Sequence, residues 1–193
     1  VRSVFLTAPN LITLFRIFLA PIIVVLLISP LGVNALITAA VFLLAAGTDW
    51  LDGRLARRYK QVTALGTLLD PIADKLLVMA ALVSLVSLQK VPGLVVVALV
   101  GRDLVVSGIR QMAATKGVVM AAGSYGKCKT VLEMAAIVLV MISIEYEFID
   151  PVLFVGIRPS LLMLLCALIL AIVSAGSYLS VLLTIARDRN LSD

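Results

Sequence analysis

Leu11-Ile12-Thr13-Leu14-Phe15-Arg16-Ile17-Phe18-Leu19-Ala20-Pro21-Ile22-Ile23-Val24-Val25-Leu26-Leu27-Ile28 is an apolar run broken only by Thr13, Arg16 and Pro21. As an α-helix it extends about 27 Å, close to the ~30 Å hydrocarbon core of a bilayer. Pro21 predicts a kink within this helix rather than its end. A cleavable signal is not expected, because no clear small-residue cleavage site follows and Arg16 sits inside the run. Outward from it, further apolar runs cover 33–57, 69–88, 92–114, 125–144 and 160–185. They are separated at Ser29-Pro30-Leu31-Gly32, at Gln89-Lys90-Val91-Pro92-Gly93, and near Asp150-Pro151 and Arg158-Pro159. Proline and glycine at these points mark helix boundaries. The expectation is an all-α integral membrane protein of six transmembrane helices, one domain over residues 1–193, with no internal repeat.

Composition supports a bilayer as solvent. The 193 residues are 62% hydrophobic and 14% charged, where a soluble domain carries about 25% charged residues. Mean hydropathy is +1.17. These values exclude a soluble enzyme, a disordered chain and a disulfide-stapled secreted domain. Histidine is absent, which removes imidazole as base, nucleophile and metal ligand and leaves acid–base work to carboxylates, Lys or Tyr. Cys128 and Cys166 fall in different runs and are poorly placed to pair. No nucleic-acid partner is expected.

The cations give an orientation. With both termini in the cytoplasm, 14 of the 16 Lys and Arg lie on or face the inner side, and Lys90 and Arg158 lie outside with Glu145, Glu147 and Asp150. The positive-inside rule favours that arrangement in an inner, cytoplasmic membrane. Trp50, Tyr59, Tyr125, Tyr146 and Phe148 fall near predicted span ends, as interfacial aromatics do.

The chemistry concentrates in Asp49-Trp50-Leu51-Asp52-Gly53-Arg54-Leu55-Ala56-Arg57 and in Gly66-Thr67-Leu68-Leu69-Asp70-Pro71-Ile72-Ala73-Asp74. Asp49 and Asp52, spaced i, i+3, share one helical face, and Asp70 and Asp74, spaced i, i+4, share another. A short turn between the two helices lets four carboxylates converge at the inner rim. Unpaired, they would repel one another and be costly to desolvate. Oxygen donors without His or Cys select a hard divalent cation: Mg²⁺, with Mn²⁺ possible and Zn²⁺ disfavoured. Two such ions suit phosphoryl-type transfer, since they neutralise a pyrophosphate and steady the leaving oxygen. Gly53 and Ala56 leave room for a nucleotide or a neighbouring helix, and Arg57 is placed to meet a phosphate. The bland alternative is a salt-bridge cluster of Asp49 and Asp52 with Arg54, Arg57 and Arg58, which leaves Asp70 and Asp74 unexplained.

The spacing Asp49-x2-Asp52-Gly53-x2-Ala56-Arg57-x8-Gly66-x3-Asp70-x3-Asp74 resembles the signature of the CDP-alcohol phosphotransferases. That resemblance implies a membrane enzyme whose acceptor hydroxyl displaces CMP from a CDP-linked alcohol, with the active-site cavity at the cytoplasmic side. It assigns Asp49, Asp52, Asp70 and Asp74 to metal and Asp74 also to general base. Asn10, Thr13, Asp52, Gly53, Ala56, Arg57, Thr63 and Gly66 are assigned to the CDP portion, and a homodimer is implied. Pro9 to Arg16, Gly101-Arg102-Asp103 through Gly108-Ile109-Arg110, and Gly126-Lys127-Cys128-Lys129-Thr130 resemble the branch that makes phosphatidylglycerophosphate from CDP-diacylglycerol. Gly101 and Asp103 depart from the Ala and Glu usual there, and Cys128 replaces an apolar residue.

A phosphate-bearing acceptor also fits the cations. Arg102 lies well inside its apolar run, where a guanidinium is costly unless it meets an anion or a polar cavity. Arg110 is about 80° round the helix and about 12 Å further along, and Lys127 opens the next helix. Arg102, Arg110 and Lys127 together suit the phosphate of sn-glycerol 3-phosphate. Pairing of Arg102 with its neighbour Asp103 is expected to be geometrically poor, because adjacent side chains diverge by about 100°. Lys129 and Lys75 read as inner-face positive charges. Phosphatidylglycerol, inositol phosphate or serine as acceptor keeps the same chemistry, and a divalent-cation transporter is the alternative of another class. Transport sites usually lie near the bilayer midplane between repeats, whereas these aspartates lie at one rim.

Overall fold

The computed structural model describes residues 8–28, 34–59, 64–115, 123–153 and 156–189, with side chains over 11–28, 34–48, 69, 72–115, 123–153 and 156–176. It is all-α. The helices are α1 (Ala8–Ile28), α2 (Ala35–Tyr59), α3 (Ala64–Ser87), α4 (Gly93–Thr115), α5 (Ser124–Ser143) and α6 (Pro159–Arg189), with a short 3₁₀ turn at Glu147–Ile149. All six coincide closely with the apolar runs. α1 continues through Pro21.

Helix ends follow local chemistry. Asn34 caps α2 through Oδ1, which accepts from Leu36 N at 2.8 Å. The Glu145 carboxylate accepts from Ala35 N at 2.9 Å and from Asn34 Nδ2 at 3.4 Å, so a negative charge lies on the positive end of that helix. α3 stops where Gln89 takes a left-handed φ of 57°. Lys90 N then reaches back to Leu85 O at 3.0 Å and Gln89 N to Val86 O at 2.8 Å, which satisfies the last carbonyls.

The chain divides into two compact units. The first comprises Val1–Val91 with Ile137–Pro151. Here α1 packs on both α2 and α3, and α2 on α3. α1 buries Thr13, Arg16, Ala20 and Ile23, a 3-4-3 spacing that makes one continuous face. α2 and α3 bury small residues such as Ala39, Ala45, Ala73 and Ala81 among larger ones such as Phe42 and Leu77. Small side chains at helix contacts let backbones approach where lipid removes the hydrophobic drive for association. The opposite face of α1 exposes Leu11, Phe15, Phe18, Ile22, Val25 and Ile28. An apolar face turned outward is the pattern of a helix solvated by lipid.

The second unit comprises Pro92–Ala136 with Val152–Asp193. α4 packs on α6. α4 buries Val96, Leu99, Val106 and Ala113, and α6 buries Ser160, Leu164, Ala167, Ala171 and Ser174, again at alternating steps of four and three.

The expectation of six transmembrane helices is overturned. Among the described residues, two helices are long and apolar enough to cross a membrane, over Leu11–Ile28 and Pro159–Gly176, while Ala35–Thr48 is a shorter apolar stretch. Charge density is the physical reason. Every 18-residue window of α3 contains Asp70, Asp74 and Lys75; every one of α4 contains Arg102, Asp103 and Arg110; every one of α5 contains Lys127, Lys129 and Glu133. Each such charge costs up to about 2.5–3.5 kcal/mol at a helix centre and less toward its ends, against about 0.3–0.6 kcal/mol returned by each Leu, Ile or Val.

Candidate active site

α2 carries Asp49, Asp52, Gly53, Ala56 and Arg57, and α3 carries Gly66, Asp70 and Asp74. Of these side chains, only Asp74 belongs to the described residues; Thr63 and the side chain of Asn10 also lie outside them. Asp74 is half-buried, between the fully buried Ala73 and a face that Leu77 continues. The packing of α3 on α2 and α1 within the first unit therefore positions its backbone.

α1 contributes a polar patch to that packing. Thr13 and Arg16 are both buried, so the Thr13 hydroxyl is enclosed by protein. Arg16 Nη2 lies 3.4 Å from Thr48 Oγ1, which itself donates to Ala45 O at 2.6 Å. A buried guanidinium thus reaches from α1 to the residue preceding Asp49. Among the described residues, no group of three or more His, Cys, Asp or Glu gathers in metal-holding geometry; Asp49, Asp52 and Asp70 lie outside that set.

Among the described cations of the second unit, Arg110 and Lys127 are exposed. Arg102 is half-buried and bonded at all three nitrogens. Its Nε donates to Ala171 O at 2.8 Å, Nη1 to Asp103 Oδ1 at 3.1 Å, and Nη2 to Ser174 Oγ. The expectation that Arg102 and Asp103 pair poorly is therefore corrected. Their Cα–Cβ directions diverge, but the long arginine stem returns the guanidinium to its neighbour.

Lys129, read from sequence as an inner-face charge, is buried and bridges two carboxylates, Asp103 Oδ2 and Glu133 Oε2, each at 2.5 Å. Glu133 and Lys129 stand i, i+4 on α5, a spacing that signals the pair from sequence alone. Cys128 and Cys166 are both free thiols and exposed.

Residues 6–186 match the CDP-alcohol phosphatidyltransferase family. The chain belongs to that family. It is 37% identical over 155 residues to the CDP-diacylglycerol–glycerol-3-phosphate 3-phosphatidyltransferase of Bacillus subtilis, covering 74% of this chain and 80% of that one. The protein of the same name from Pseudomonas fluorescens is 40% identical over 141 residues, 69% of this chain and 71% of its own. An Arabidopsis thaliana relative, CDP-diacylglycerol–glycerol-3-phosphate 3-phosphatidyltransferase 2, is 36% identical over 157 residues, covering 74% and 67%. The family match spans both the aspartate-bearing α2 and α3 and the cation-bearing α4 and α5. As a CDP-alcohol phosphatidyltransferase with two helices able to cross a bilayer, the protein is membrane-associated and belongs to phospholipid biosynthesis.

Proposed function

We propose that this CDP-alcohol phosphatidyltransferase transfers the phosphatidyl group of CDP-diacylglycerol to sn-glycerol 3-phosphate, giving phosphatidylglycerophosphate and CMP. The observation that carries this choice of substrates is the alignment, over two thirds or more of the chain, with relatives named for that transfer. Asp74 accepts the proton of the glycerol hydroxyl as its oxygen bonds to the phosphorus on the diacylglycerol side. The bond from that phosphorus to the CMP oxygen breaks, and CMP leaves with its phosphate facing Arg57. Asn10, Asp52, Gly53, Ala56, Thr63 and Gly66 contribute to the CDP pocket. The exposed Arg110 and Lys127 bind the acceptor phosphate.

Asp49, Asp52, Asp70 and Asp74 offer oxygen donors only, on two helices that pack together, and that set fits Mg²⁺ with Mn²⁺ as substitute. When bound, two such ions would supply charge neutralisation at the pyrophosphate. Among the described residues, α1 and α6 are the helices able to cross the bilayer of the inner membrane, and the aspartates face the cytoplasm. Asn34 pairs with Glu145, and Lys90 with Glu147 at 3.9 Å, within the first unit. The assembly is a homodimer.

The test offers purified protein CDP-diacylglycerol and Mg²⁺ with glycerol 3-phosphate, inositol phosphate, serine or phosphatidylglycerol in turn. CMP release with glycerol 3-phosphate alone is expected. Turnover confined to another alcohol would keep the chemistry and refute the acceptor, and Arg110→Ala raises the glycerol 3-phosphate KM by about 10–100-fold while sparing that of CDP-diacylglycerol.

A further inference from the structure

Four ionisable side chains in the second unit form one chain of contacts. Glu133 and Asp103 each hold Lys129 Nζ at 2.5 Å, and the other oxygen of Asp103 holds Arg102 Nη1 at 3.1 Å. Arg102 then ties to α6 through Ala171 O and Ser174 Oγ. Two cations and two carboxylates balance. The side chains of Lys129 and Glu133 are only 3% and 4% exposed, so bulk water contributes little to stabilising either charge.

We propose that Lys129 is a positioning residue for the acceptor site, acting through this balanced tie and not by touching the acceptor. Asp103 and Arg110 are seven residues apart, so they share one face of α4 within about 20° and lie about 10 Å apart along it. The salt bridge from Asp103 to Lys129 therefore holds α5 alongside the face that carries Arg110. Lys127, two residues from Lys129, points to the other side of α5 and is exposed where Lys129 is buried. Lys129 fixes where α5 presents Lys127 relative to Arg110; it has two of its three donors already committed to carboxylates.

The inference rests on the acceptor roles proposed for Arg110 and Lys127. Its test compares Lys129→Met, Glu133→Met and the double variant, with Asp103→Asn beside them. Each single variant removes one charge of the tie, whereas the double variant removes one of each sign. Expected is a rise of about tenfold in the glycerol 3-phosphate KM for Lys129→Met, with the CDP-diacylglycerol KM unchanged, and a similar rise both in the double variant and in Asp103→Asn, since each lacks the bridge from α5 to α4. An acceptor KM unchanged by Asp103→Asn while Lys129→Met raises it would overturn the proposal, because a true phosphate ligand does not need Asp103.

Thermal unfolding in detergent reads the same cycle without substrate. The double variant should be more stable than either single variant, and a double variant no more stable than both would overturn the tie itself. If Lys129→Met does not fold, the acceptor KM is read in Asp103→Asn and in the double variant, and wild-type values in both overturn the proposal. Wild-type protein that shows the stability coupling but releases no CMP would instead refute the proposed reaction and leave the tie standing.

Discussion

The two units solve the problem of an apolar environment in different ways. The first fits side chains mainly by volume: it buries Ala20, Ile23, Ala39, Phe42, Ala45, Leu77 and Ala81, with Arg16 and Asp150 as the buried charges among its described residues. The second fits them by charge, joining α4, α5 and α6 through Arg102, Asp103, Lys129, Glu133 and Ser174. The difference teaches how each unit uses its charged side chains. In a chain with 16 Lys and Arg, an interior position does not identify a binding residue. Among the described residues of the second unit, Lys129 is buried and Arg102 half-buried with all three nitrogens bonded, while Arg110 and Lys127 are exposed.

That contrast breaks or sharpens through substitutions matched to each unit. Phe42, fully buried in the first unit, should respond to lost volume: Phe42→Ala is expected to cost about 3–5 kcal/mol, read as a lowered midpoint of thermal unfolding in detergent. Arg102→Met nearly preserves volume and removes charge. It should cost about 2–3 kcal/mol by leaving Asp103 and Glu133 with one cation between them. An Arg102→Met protein as stable as wild type would mean that the second unit, too, is held by packing. The smallest effect is expected at the α2 cap, where Glu145→Ala should cost about 1 kcal/mol by removing the acceptor of Ala35 N.

Much of this was legible in the residues. The apolar runs located all six helices, and proline and glycine marked the breaks after α1, after α3 and before α6, because helix termination is a local property of φ and of missing donors. The number of membrane spans was not. An apolar run with three embedded charges still reads as hydrophobic on average, and whether such a helix suits lipid depends on the local cost of each charge.

The ion-pair chain was missed for a related reason. Helical-wheel angles describe Cβ directions, and the ends of Arg102 and Lys129 lie several bonds beyond them. Asp103 to Lys129 also joins positions 26 residues apart, which spacing rules for one helix do not reach. The aspartate signature needed no such long-range knowledge, since its i, i+3 and i, i+4 spacings act within single helices.

The proposed chemistry meets its most direct test in the incorporation of labelled glycerol 3-phosphate into lipid, with stoichiometric CMP, by wild type and Asp74→Asn reconstituted with CDP-diacylglycerol and Mg²⁺. Wild type should form labelled phosphatidylglycerophosphate and CMP in equal amounts. Asp74→Asn, inserted and folded, should lose about 10²–10⁴-fold in kcat. Labelled lipid formed at the wild-type rate by Asp74→Asn, or CMP released without labelled lipid, would contradict the role given to the aspartates.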